Sequence, residues 1–464
     1  MVDQSTLNEL VRIAGRENVL TSKVSLNTYM YDASLVYGQP EVVVYVQNAQ
    51  QIAAILKLAS SKKIPVTPRG GGTCLSGGAV PQRGGIVMVM TRMNRILEID
   101  PENRVAVVEP GVTNMELQKA VAPYGLVYMP DPASQKVSTM GGNLGENSGG
   151  MRGIKYGLTR DHIIGMELVL SSGEIVQIGG KLEPIAQELN LNALLIGSEG
   201  NLGIATKIIC KLTPAPRANR TMLAIYKTLE DAGTSVSAII ARGIIPCTLE
   251  LMDNKIINAV EDWLHIGLPV DAGAILLIEV DGWDAGLDRQ AQQIMQICRE
   301  NGAIDVKLAQ NAKERDNLWT ARRMAIGAIG RLAPNYDMED ATVPRTKLPE
   351  ILKEVNRLSQ EYNVPIGMLA HAGDGNLHPL VLFDERNKEE MERVEKVRAA
   401  LFRKALDLGG TLSGEHGIGL AKLEFMRWAF NPEELQFLRR ERLAFDPSEI
   451  LNAGKTVPDT DTAA

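Results

Sequence analysis

Short apolar runs alternate with amphipathic stretches in the first half of the chain, and this pattern predicts a mixed fold. Residues 41–46 (EVVVYV) have the length and composition of a strand, and Ala49–Lys62 repeats its isoleucine and leucine positions at helical spacing. A second strand is expected at residues 64–67, which completes a strand–helix–strand unit. Further strands are predicted at residues 85–90 and Val105–Val108. These elements together predict a fold that mixes helices and strands.

Capping and turn residues indicate where several elements begin and end. Thr113 or Asn114 can cap a helix that ends near Gly125, because either side chain can accept a hydrogen bond from a backbone N–H of the first turn. Residues 171–173 (SSG) separate two β-rich runs and predict a hairpin. Residues 386–408 place apolar side chains on one face and predict a long helix that a pair of glycines ends.

Length and a change of pattern divide the chain into segments. A chain of 464 residues is too long for one ordinary core, so more than one folding unit is expected. After residues 213–216 (TPAP) the helical patterns become longer, and each leads back to a strand. We expect an amino-terminal domain at residues 1–215, an α/β domain at residues 216–410, and a short helical segment at residues 411–464 that completes the functional site.

Composition and charge exclude several classes of protein. The formal net charge of −7 argues against a nucleic-acid surface and against a polybasic membrane anchor. No apolar run approaches the roughly 20 residues that a membrane-spanning helix needs, and the first residues lack the features of a signal peptide. We therefore expect a cytoplasmic protein, at most peripheral to a membrane through a partner.

The four cysteines are far apart and include no C-x-x-C pair: Cys74, Cys210, Cys247 and Cys298. This spacing excludes a self-contained iron–sulfur or cysteine-rich zinc site and suggests reduced thiols. Buried structural cysteines are the expected outcome.

A glycine-rich loop at residues 68–78 (PRGGGTCLSGG) directly follows a predicted strand. Consecutive glycines let successive backbone N–H groups turn toward one point, and this geometry suits a pyrophosphate. A flexible surface loop is an equally good explanation of this segment alone. Neither the dinucleotide fingerprint G-x-G-x-x-G nor the P-loop pattern is present in it, so those two readings are weak.

Two further glycine-rich segments, residues 138–150 (STMGGNLGENSGG) and 197–204 (GSEGNLGI), favour a cofactor site. With the first loop, they resemble the PCMH-type FAD domain of the vanillyl-alcohol oxidase superfamily over residues 36–215. The resemblance implies FAD contacts at Pro68, Arg69, Gly70, Gly71, Gly72, Thr73, Ser76, Gly77, Pro132, Ser138, Thr139, Gly141, Gly142, Asn143, Asn147, Gly149, Gly150, Gly197, Glu199, Gly200, Gly203 and Ile204. No histidine or cysteine occupies the places where some relatives attach FAD covalently, and Cys74 is the nearest candidate. Non-covalent FAD is therefore expected.

Three of the five histidines lie in two short glycine-rich motifs. Residues 371–378 (HAGDGNLH) place two imidazoles around a turn, and residues 413–419 (SGEHGIG) set a carboxylate beside a third. Two histidines and one carboxylate, with a position left for substrate, make a plausible catalytic site for a divalent metal. A single histidine would more often be a structural residue of the core.

These motifs resemble the C-terminal cap of the FAD-linked D-2-hydroxyacid dehydrogenases, which include D-lactate dehydrogenases, the catalytic subunit of bacterial glycolate oxidase, and D-2-hydroxyglutarate dehydrogenase. The resemblance implies that His371, His378 and Glu415 hold a zinc-like divalent metal (Zn, Fe or Mn) and that His416 is the base. Residues 318–322 (LWTAR) resemble the helix whose arginine binds the substrate carboxylate. Substrate contacts are therefore expected at Arg322 and Asn376, with Arg323 as the alternative to Arg322.

Two departures from the family pattern concern substrate size. Some relatives have a lysine shortly before residues 339–344 (EDATVP), where this chain has residues 336–338 (YDM). The 2-hydroxyglutarate enzymes have an asparagine two residues beyond the second motif histidine, where this chain has Leu380. Both differences favour a small substrate without a second carboxylate.

The resemblance implies an α+β fold, in which a PCMH-type FAD-binding domain is followed by an α/β cap and a short C-terminal helical segment. It also implies an oxidoreductase that converts D-lactate or glycolate to the 2-oxo acid by hydride transfer to flavin N5. The chain has no iron–sulfur cysteines and no haem motif of its own. Its electrons are therefore expected to pass to a separate acceptor, such as an electron-transferring flavoprotein, an iron–sulfur subunit or a quinone-linked partner. A flavin oxidase of the same fold and a non-catalytic flavin electron-transfer subunit are the alternatives. Relatives of those kinds lack or lose the histidine and glutamate motifs.

Overall fold

A computed structural model describes residues 1–182 and 189–459 of the chain. By their internal contacts the residues form two compact units. The first unit comprises Met1–Gly149, Gly157–Ala215 and Glu415–Ala464, and the second comprises Gly150–Tyr156 and Pro216–Gly414. The predicted division into residues 1–215, 216–410 and 411–464 stays a prediction, because the two contact-based units do not say which parts of the chain fold independently.

The described α-helices, in chain order, are α1 (Gln4–Ala14), α2 (Lys23–Asn27), α3 (Ala49–Lys62), α4 (Asn114–Val121), α5 (Met140–Glu146), α6 (Gly153–Tyr156), α7 (Leu191–Leu195), α8 (Leu229–Ala241), α9 (Asn254–Leu264), α10 (Leu287–Glu300), α11 (Ala312–Ile329), α12 (Leu348–Glu361), α13 (Lys388–Asp407), α14 (Met426–Ala429) and α15 (Pro432–Phe445). The described strands are β1 (Val19–Leu20), β2 (Val42–Tyr45), β3 (Val66–Arg69), β4 (Ile86–Val89), β5 (Ile96–Asp100), β6 (Val105–Val108), β7 (Leu126–Val127), β8 (Ile163–Val169), β9 (Ile175–Gly179), β10 (Ile204–Lys211), β11 (Thr213–Pro214), β12 (Ala218–Tyr226), β13 (Thr248–Asp253), β14 (Ala274–Gly282), β15 (Ala303–Leu308), β16 (Asn335–Met338), β17 (Ala341–Thr342), β18 (Ile366–His371) and β19 (Asn376–Phe383). No helix among them is long and apolar enough to cross a membrane.

A four-stranded sheet in the first unit has the order β1-β2-β4-β3, with β2, β4 and β3 parallel. The predicted strand–helix–strand unit is present, but β4 lies between its two strands. The Asn48 side chain caps α3 by accepting a hydrogen bond from the backbone of Gln51. At the other end Lys63 has a left-handed conformation (φ 51°). Because the chain turns there, the second strand begins at Val66, two residues later than expected.

A five-stranded antiparallel sheet in the same unit has the order β5-β6-β10-β8-β9. Strands β8 and β9 form the hairpin that residues 171–173 predict. Of the two expected caps, Thr113 is the residue that caps α4, because its side chain accepts from the Glu116 backbone while the Glu116 carboxylate accepts from Thr113 in return. Helix α4 is therefore fixed by local hydrogen bonds that the sequence makes visible.

The second unit contains an eight-stranded antiparallel sheet with the order β15-β12-β14-β13-β18-β19-β16, in which β17 also pairs with β19. Helices α9 and α11 contribute to the apolar cluster with Met252 of β13, Leu369 of β18 and Leu380 of β19. Helix α13 confirms the expected long amphipathic helix and buries Val394 and Leu401. The three adjacent strands β13, β18 and β19 carry Glu250, His371 and His378, respectively.

Candidate active site

The first glycine-rich segment packs directly against the second in the first unit. Pro68 and Arg69 are the last residues of β3, and the Arg69 guanidinium donates to the carbonyl of Tyr31 at 2.7 Å. At Gly70 a Cβ atom would lie 2.2 Å from Oγ1 of Thr139, so a side chain does not fit there. Two of the three segments that the family resemblance assigns to FAD are therefore neighbours.

The second segment, expected as a glycine-rich loop, contains the helix α5, which Thr139 caps by accepting from the backbone of Gly142. Ser138 lies just before this helix and Asn143 lies within it. The Ser138 hydroxyl and the Asn143 amide nitrogen are buried, and neither has a hydrogen-bond partner in the described part of the chain. A buried polar group without a partner costs about 1–3 kcal/mol. These groups fit a bound molecule that is rich in acceptor atoms, as FAD is.

Asn452 forms hydrogen bonds with both the third segment (residues 197–204) and the first (residues 68–78). The Asn452 amide donates to the carbonyl of Glu199 at 2.6 Å and to that of Gly78 at 3.1 Å. The Glu199 carboxylate itself accepts from the backbone N–H groups of Ile418 and Gly419 at 2.7 and 2.8 Å. The first unit thus brings together all three glycine-rich segments, except that Gly150 groups with the second unit. The individual FAD contacts stay predictions.

Cys74 lies in the first segment with its sulfur 3.2 Å from Oε1 of Glu146. Burial and the neighbouring Glu146 carboxylate raise the pKa of the Cys74 thiol well above its usual range. A neutral thiol is a poor nucleophile, which favours the prediction of non-covalent FAD. All four cysteines are free thiols. Cys210, Cys247 and Cys298 are buried, as expected, whereas Cys74 is only partly buried.

The two motif histidines of the second unit lie on paired strands. His371 ends β18 and His378 lies in β19, where it pairs with Leu369. Their rings meet edge to face with centroids 5.0 Å apart, and one ring nitrogen of each lies within 4.8 Å of the other. The turn between the strands needs Gly375, which has φ 79° and would place a Cβ atom 2.1 Å from the carbonyl oxygen of Val343. The seven-residue spacing therefore produces a histidine pair.

Each of these histidines turns Nδ1 toward an acceptor. Nδ1 of His371 lies 2.8 Å from Oε1 of Glu250, and Nδ1 of His378 lies 3.3 Å from the backbone carbonyl of Glu339. A carbonyl oxygen or an ionised carboxylate can only accept, so Nδ1 carries the proton in both rings. In the neutral ring, which is the form that binds a metal, the lone pair then lies on Nε2, and this is the arrangement found in metal-binding histidines.

Glu250 is a site residue that the sequence analysis did not identify. Its carboxylate is fully buried in β13 and accepts hydrogen bonds from both His371 and Nε of Arg322, the latter at 2.8 Å. Burial raises the pKa of Glu250, but the charges of His371 and Arg322 outweigh burial and hold it below its usual range. The partners lie 121 and 72 residues away along the chain, so no local pattern could reveal them.

The two adjacent arginines of α11 have different surroundings. Arg322 is buried and binds the Glu250 carboxylate through Nε and Nη2. Its third guanidinium nitrogen, Nη1, takes no part in this ion pair. Arg323 donates instead to the carbonyl of Trp319 on its own helix at 3.1 Å. Of the two candidates for substrate binding, Arg322 is the one linked to His371 through a shared carboxylate.

Residues 339–344 connect the two histidine motifs. The Glu339 carbonyl faces His378, and the hydroxyl of Thr342 lies 3.2 Å from Oδ1 of Asn376, a predicted substrate contact. The fully buried carboxylate of Asp340 accepts from the Ser413 hydroxyl at 2.5 Å and from the Gly414 backbone at 3.0 Å. Gly414 directly precedes Glu415 and His416 in sequence, and these two residues group with the first unit. There, a Cβ atom added at Gly149 would lie 2.5 Å from Oε2 of Glu415.

The two departures from the family pattern, residues 336–338 and Leu380, lie on the neighbouring strands β16 and β19. Met338 of β16 pairs with Leu380 of β19. Leu380 is fully buried, and both side chains belong to the apolar cluster that includes Met252. At this pair of positions the chain therefore has two apolar side chains, whereas Tyr336 and Asp337 of the same departure are polar.

Comparison with family models assigns both parts of the chain. Residues 40–179 match the family described as "FAD binding domain", and residues 215–456 match "FAD linked oxidases, C-terminal domain". The glycolate oxidase subunit GlcD of Bacillus subtilis (strain 168) is 44% identical over 456 residues, which are 98% of this chain and 97% of that protein. The D-lactate dehydrogenase of Archaeoglobus fulgidus is 38% identical over 424 residues, covering 90% and 91% of the two chains.

Solved structures share the fold at low sequence identity. The structure of p-cresol methylhydroxylase with substrate bound aligns with a TM-score of 0.81 and 17% identity, over 100% of this chain and 99% of that one. The 4-ethylphenol oxidase of Gulosibacter chungangensis aligns with a TM-score of 0.81 and 20% identity, over 98% and 97%. Together with the two family matches, this likeness confirms the expected PCMH-type FAD-binding domain with a C-terminal domain. The family matches and the relatives at 44% and 38% identity show that the chain belongs to the family of FAD-linked oxidases.

Proposed function

We propose that this FAD-linked oxidoreductase oxidises a small 2-hydroxy acid, D-lactate or glycolate, to the 2-oxo acid. When bound, FAD supplies a hydride acceptor at its N5 atom. The observation that carries the proposal is the carboxylate of Glu250, which binds Arg322 and His371 at once. Glu250 thereby holds two groups close together: the Arg322 guanidinium, which can bind a substrate carboxylate, and the His371 imidazole, which can bind a metal. The names of the relatives, a glycolate oxidase subunit and D-lactate dehydrogenases, support the same substrate class.

We propose that His371, His378 and Glu415 hold a divalent metal ion, with Zn, Fe and Mn as candidates. The Nδ1 contacts of both histidines support this assignment, because with Nδ1 bound to an acceptor Nε2 is the ring nitrogen that a metal would use. A metal at this position would lower the pKa of the substrate hydroxyl. His416 would then take the hydroxyl proton as general base. Arg322 would bind the substrate carboxylate and orient C2, with Asn376 as a second polar contact.

The apolar pair of Met338 and Leu380 supports a substrate without a second carboxylate. A charged group buried against these side chains would lose its hydration and find no partner in the pair. Oxidation of D-lactate or glycolate requires no polar group at this position. D-2-Hydroxyglutarate would need one.

The electrons are proposed to leave through a separate acceptor protein, such as an electron-transferring flavoprotein or an iron–sulfur subunit. This follows from the absence of an iron–sulfur or haem motif in the sequence. The chain alone should therefore reduce artificial dyes with substrate, and react slowly with NAD and with oxygen. The cytoplasmic location stays a prediction.

The proposal is tested by dye-linked assays of the purified holoprotein with glycolate, D-lactate, L-lactate and D-2-hydroxyglutarate. Glycolate or D-lactate should support the highest kcat/KM. Treatment with a chelator should remove the metal and the activity without releasing FAD, and added Zn²⁺, Mn²⁺ or Fe²⁺ should restore activity. A chelated enzyme that is free of metal yet keeps its full kcat would overturn the metal assignment. Preference for D-2-hydroxyglutarate would overturn the substrate assignment.

A further inference from the structure

Lys455 is a fully buried lysine near the end of the first unit. Its ammonium donates to the carbonyl of Gly78 at 2.7 Å and to Oδ1 of Asn452 at 2.7 Å, and both of these partners are neutral. Within residues 1–182 and 189–459, no carboxylate forms an ion pair with it. An ammonium group has three N–H donors, so one donor remains for another partner.

A buried ammonium without a paired anion is costly, because removal from water is not offset by a close opposite charge. Burial lowers the pKa of Lys455 to about 8, although the acidic groups of Cys74, Asp32, Glu199 and Glu146 act in the opposite direction. At neutral pH the group therefore still carries its proton. In the described part of the first unit, this positive charge has acidic groups in its surroundings but no carboxylate within ion-pair distance.

The partners of Lys455 indicate what that anion is. Gly78 ends the first glycine-rich segment, and Asn452 also binds the carbonyl of Glu199 in the third segment. Lys455 therefore lies where two of the three FAD segments meet. FAD carries negative charge on its pyrophosphate, and its isoalloxazine ring gains negative charge on reduction.

We propose that Lys455 is a cofactor-binding residue that supplies the counter-charge for an anionic group of FAD. The proposal concerns the flavin alone and does not depend on the substrate or the metal proposed above. It predicts that the positive charge destabilises the chain without FAD and stabilises the complex. A lysine that only fastens the segments to one another would stabilise both states.

The test compares Lys455→Met with Lys207→Met, which removes a half-exposed lysine of β10 from the same unit. If the pyrophosphate is the partner, Lys455→Met should weaken binding of oxidised FAD by about 30-fold or more. If the reduced ring is the partner, binding of oxidised FAD should change little, while the midpoint potential of the flavin becomes more negative. Lys207→Met should change neither quantity. Unchanged affinity and unchanged potential in Lys455→Met would overturn the proposal.

A second measurement needs no variant and covers the case in which Lys455→Met does not fold. FAD binding to the wild-type apoprotein is measured by calorimetry at a pH near 8, the pKa of Lys455 without cofactor. Binding to an anion raises the pKa of an ammonium, so the full chain should take up protons when FAD binds. Two buffers with different ionisation enthalpies report that uptake. Binding of FAD without proton uptake would contradict the proposal.

Discussion

The carboxylate of Glu250 lies 2.8 Å from Nδ1 of His371, and the same group accepts a hydrogen bond from Nε of Arg322 at 2.8 Å. One buried acid thus orients both the proposed metal ligand and the proposed substrate-binding cation. Because both contacts share the same carboxylate, a change at Glu250 should affect metal affinity and substrate affinity together.

Glu250→Gln should therefore weaken metal retention by about 10–100-fold, the usual effect of removing a carboxylate behind a metal-binding histidine. It should also raise KM, because Arg322 loses the anion that orients it. The matched control is Glu279→Gln on the neighbouring strand β14, where a buried carboxylate binds Arg315 and Trp319 of the same helix. The control should lower the melting temperature and leave metal content at the wild-type level. Equal metal loss in both variants would indicate a general effect on folding.

Arg322→Ala should raise KM for the hydroxy acid strongly, by about 2–5 kcal/mol of lost binding if the carboxylate pair is buried. FAD content should stay unchanged. Arg323→Ala serves as the control, since Arg323 binds the backbone of its own helix. If Arg323→Ala shows the larger rise in KM in steady-state assays, the substrate role belongs to Arg323.

Much of the fold follows from local sequence patterns. Helix α3, the hairpin of β8 and β9 and helix α13 were predictable, because periodicity and turn residues act over a few positions. The order of the strands was not predictable from local patterns, because the placement of β4 between β2 and β3 depends on contacts between residues that are distant in sequence.

The site was predictable only where its residues lie in glycine-rich motifs. His371 and His378 are visible in the sequence because a short turn joins their strands. Glu250 was missed, since a glutamate within a strand is normally exposed and its partners are distant along the chain. Lys455 was missed for the same reason, as its partner Gly78 lies 377 residues earlier.

Glu415 and His416 should show different defects although they are adjacent. Glu415→Gln should weaken metal retention, and excess divalent ion should restore part of the activity. His416→Ala should keep FAD and metal but slow flavin reduction by about 10²–10⁴, the usual loss for a general base. Metal analysis and stopped-flow absorbance separate the two. Metal loss in His416→Ala with metal kept in Glu415→Gln would reverse the two roles.

Lys455 should make the stability of the apoprotein depend on pH. Burial lowers the pKa of Lys455 from 10.5 to about 8 in the folded chain. Between these values the unfolded chain binds more protons than the folded chain, so the contribution of Lys455 to the free energy of unfolding should rise with pH. Chemical denaturation of wild type and Lys455→Met at several pH values isolates this contribution. The free energy of unfolding of the wild type minus that of Lys455→Met should rise with pH between about 8 and 10.5, and a value that falls over this range would contradict the account.

The central claim is that a small 2-hydroxy acid delivers its hydride to the FAD of this chain. It is tested most directly by anaerobic titration of the holoprotein, followed through the visible absorption band of oxidised flavin. Glycolate or D-lactate should bleach the band completely at one equivalent per FAD, and D-2-hydroxyglutarate should bleach it far more slowly. An oxidised spectrum that persists with excess glycolate and excess D-lactate would contradict the account.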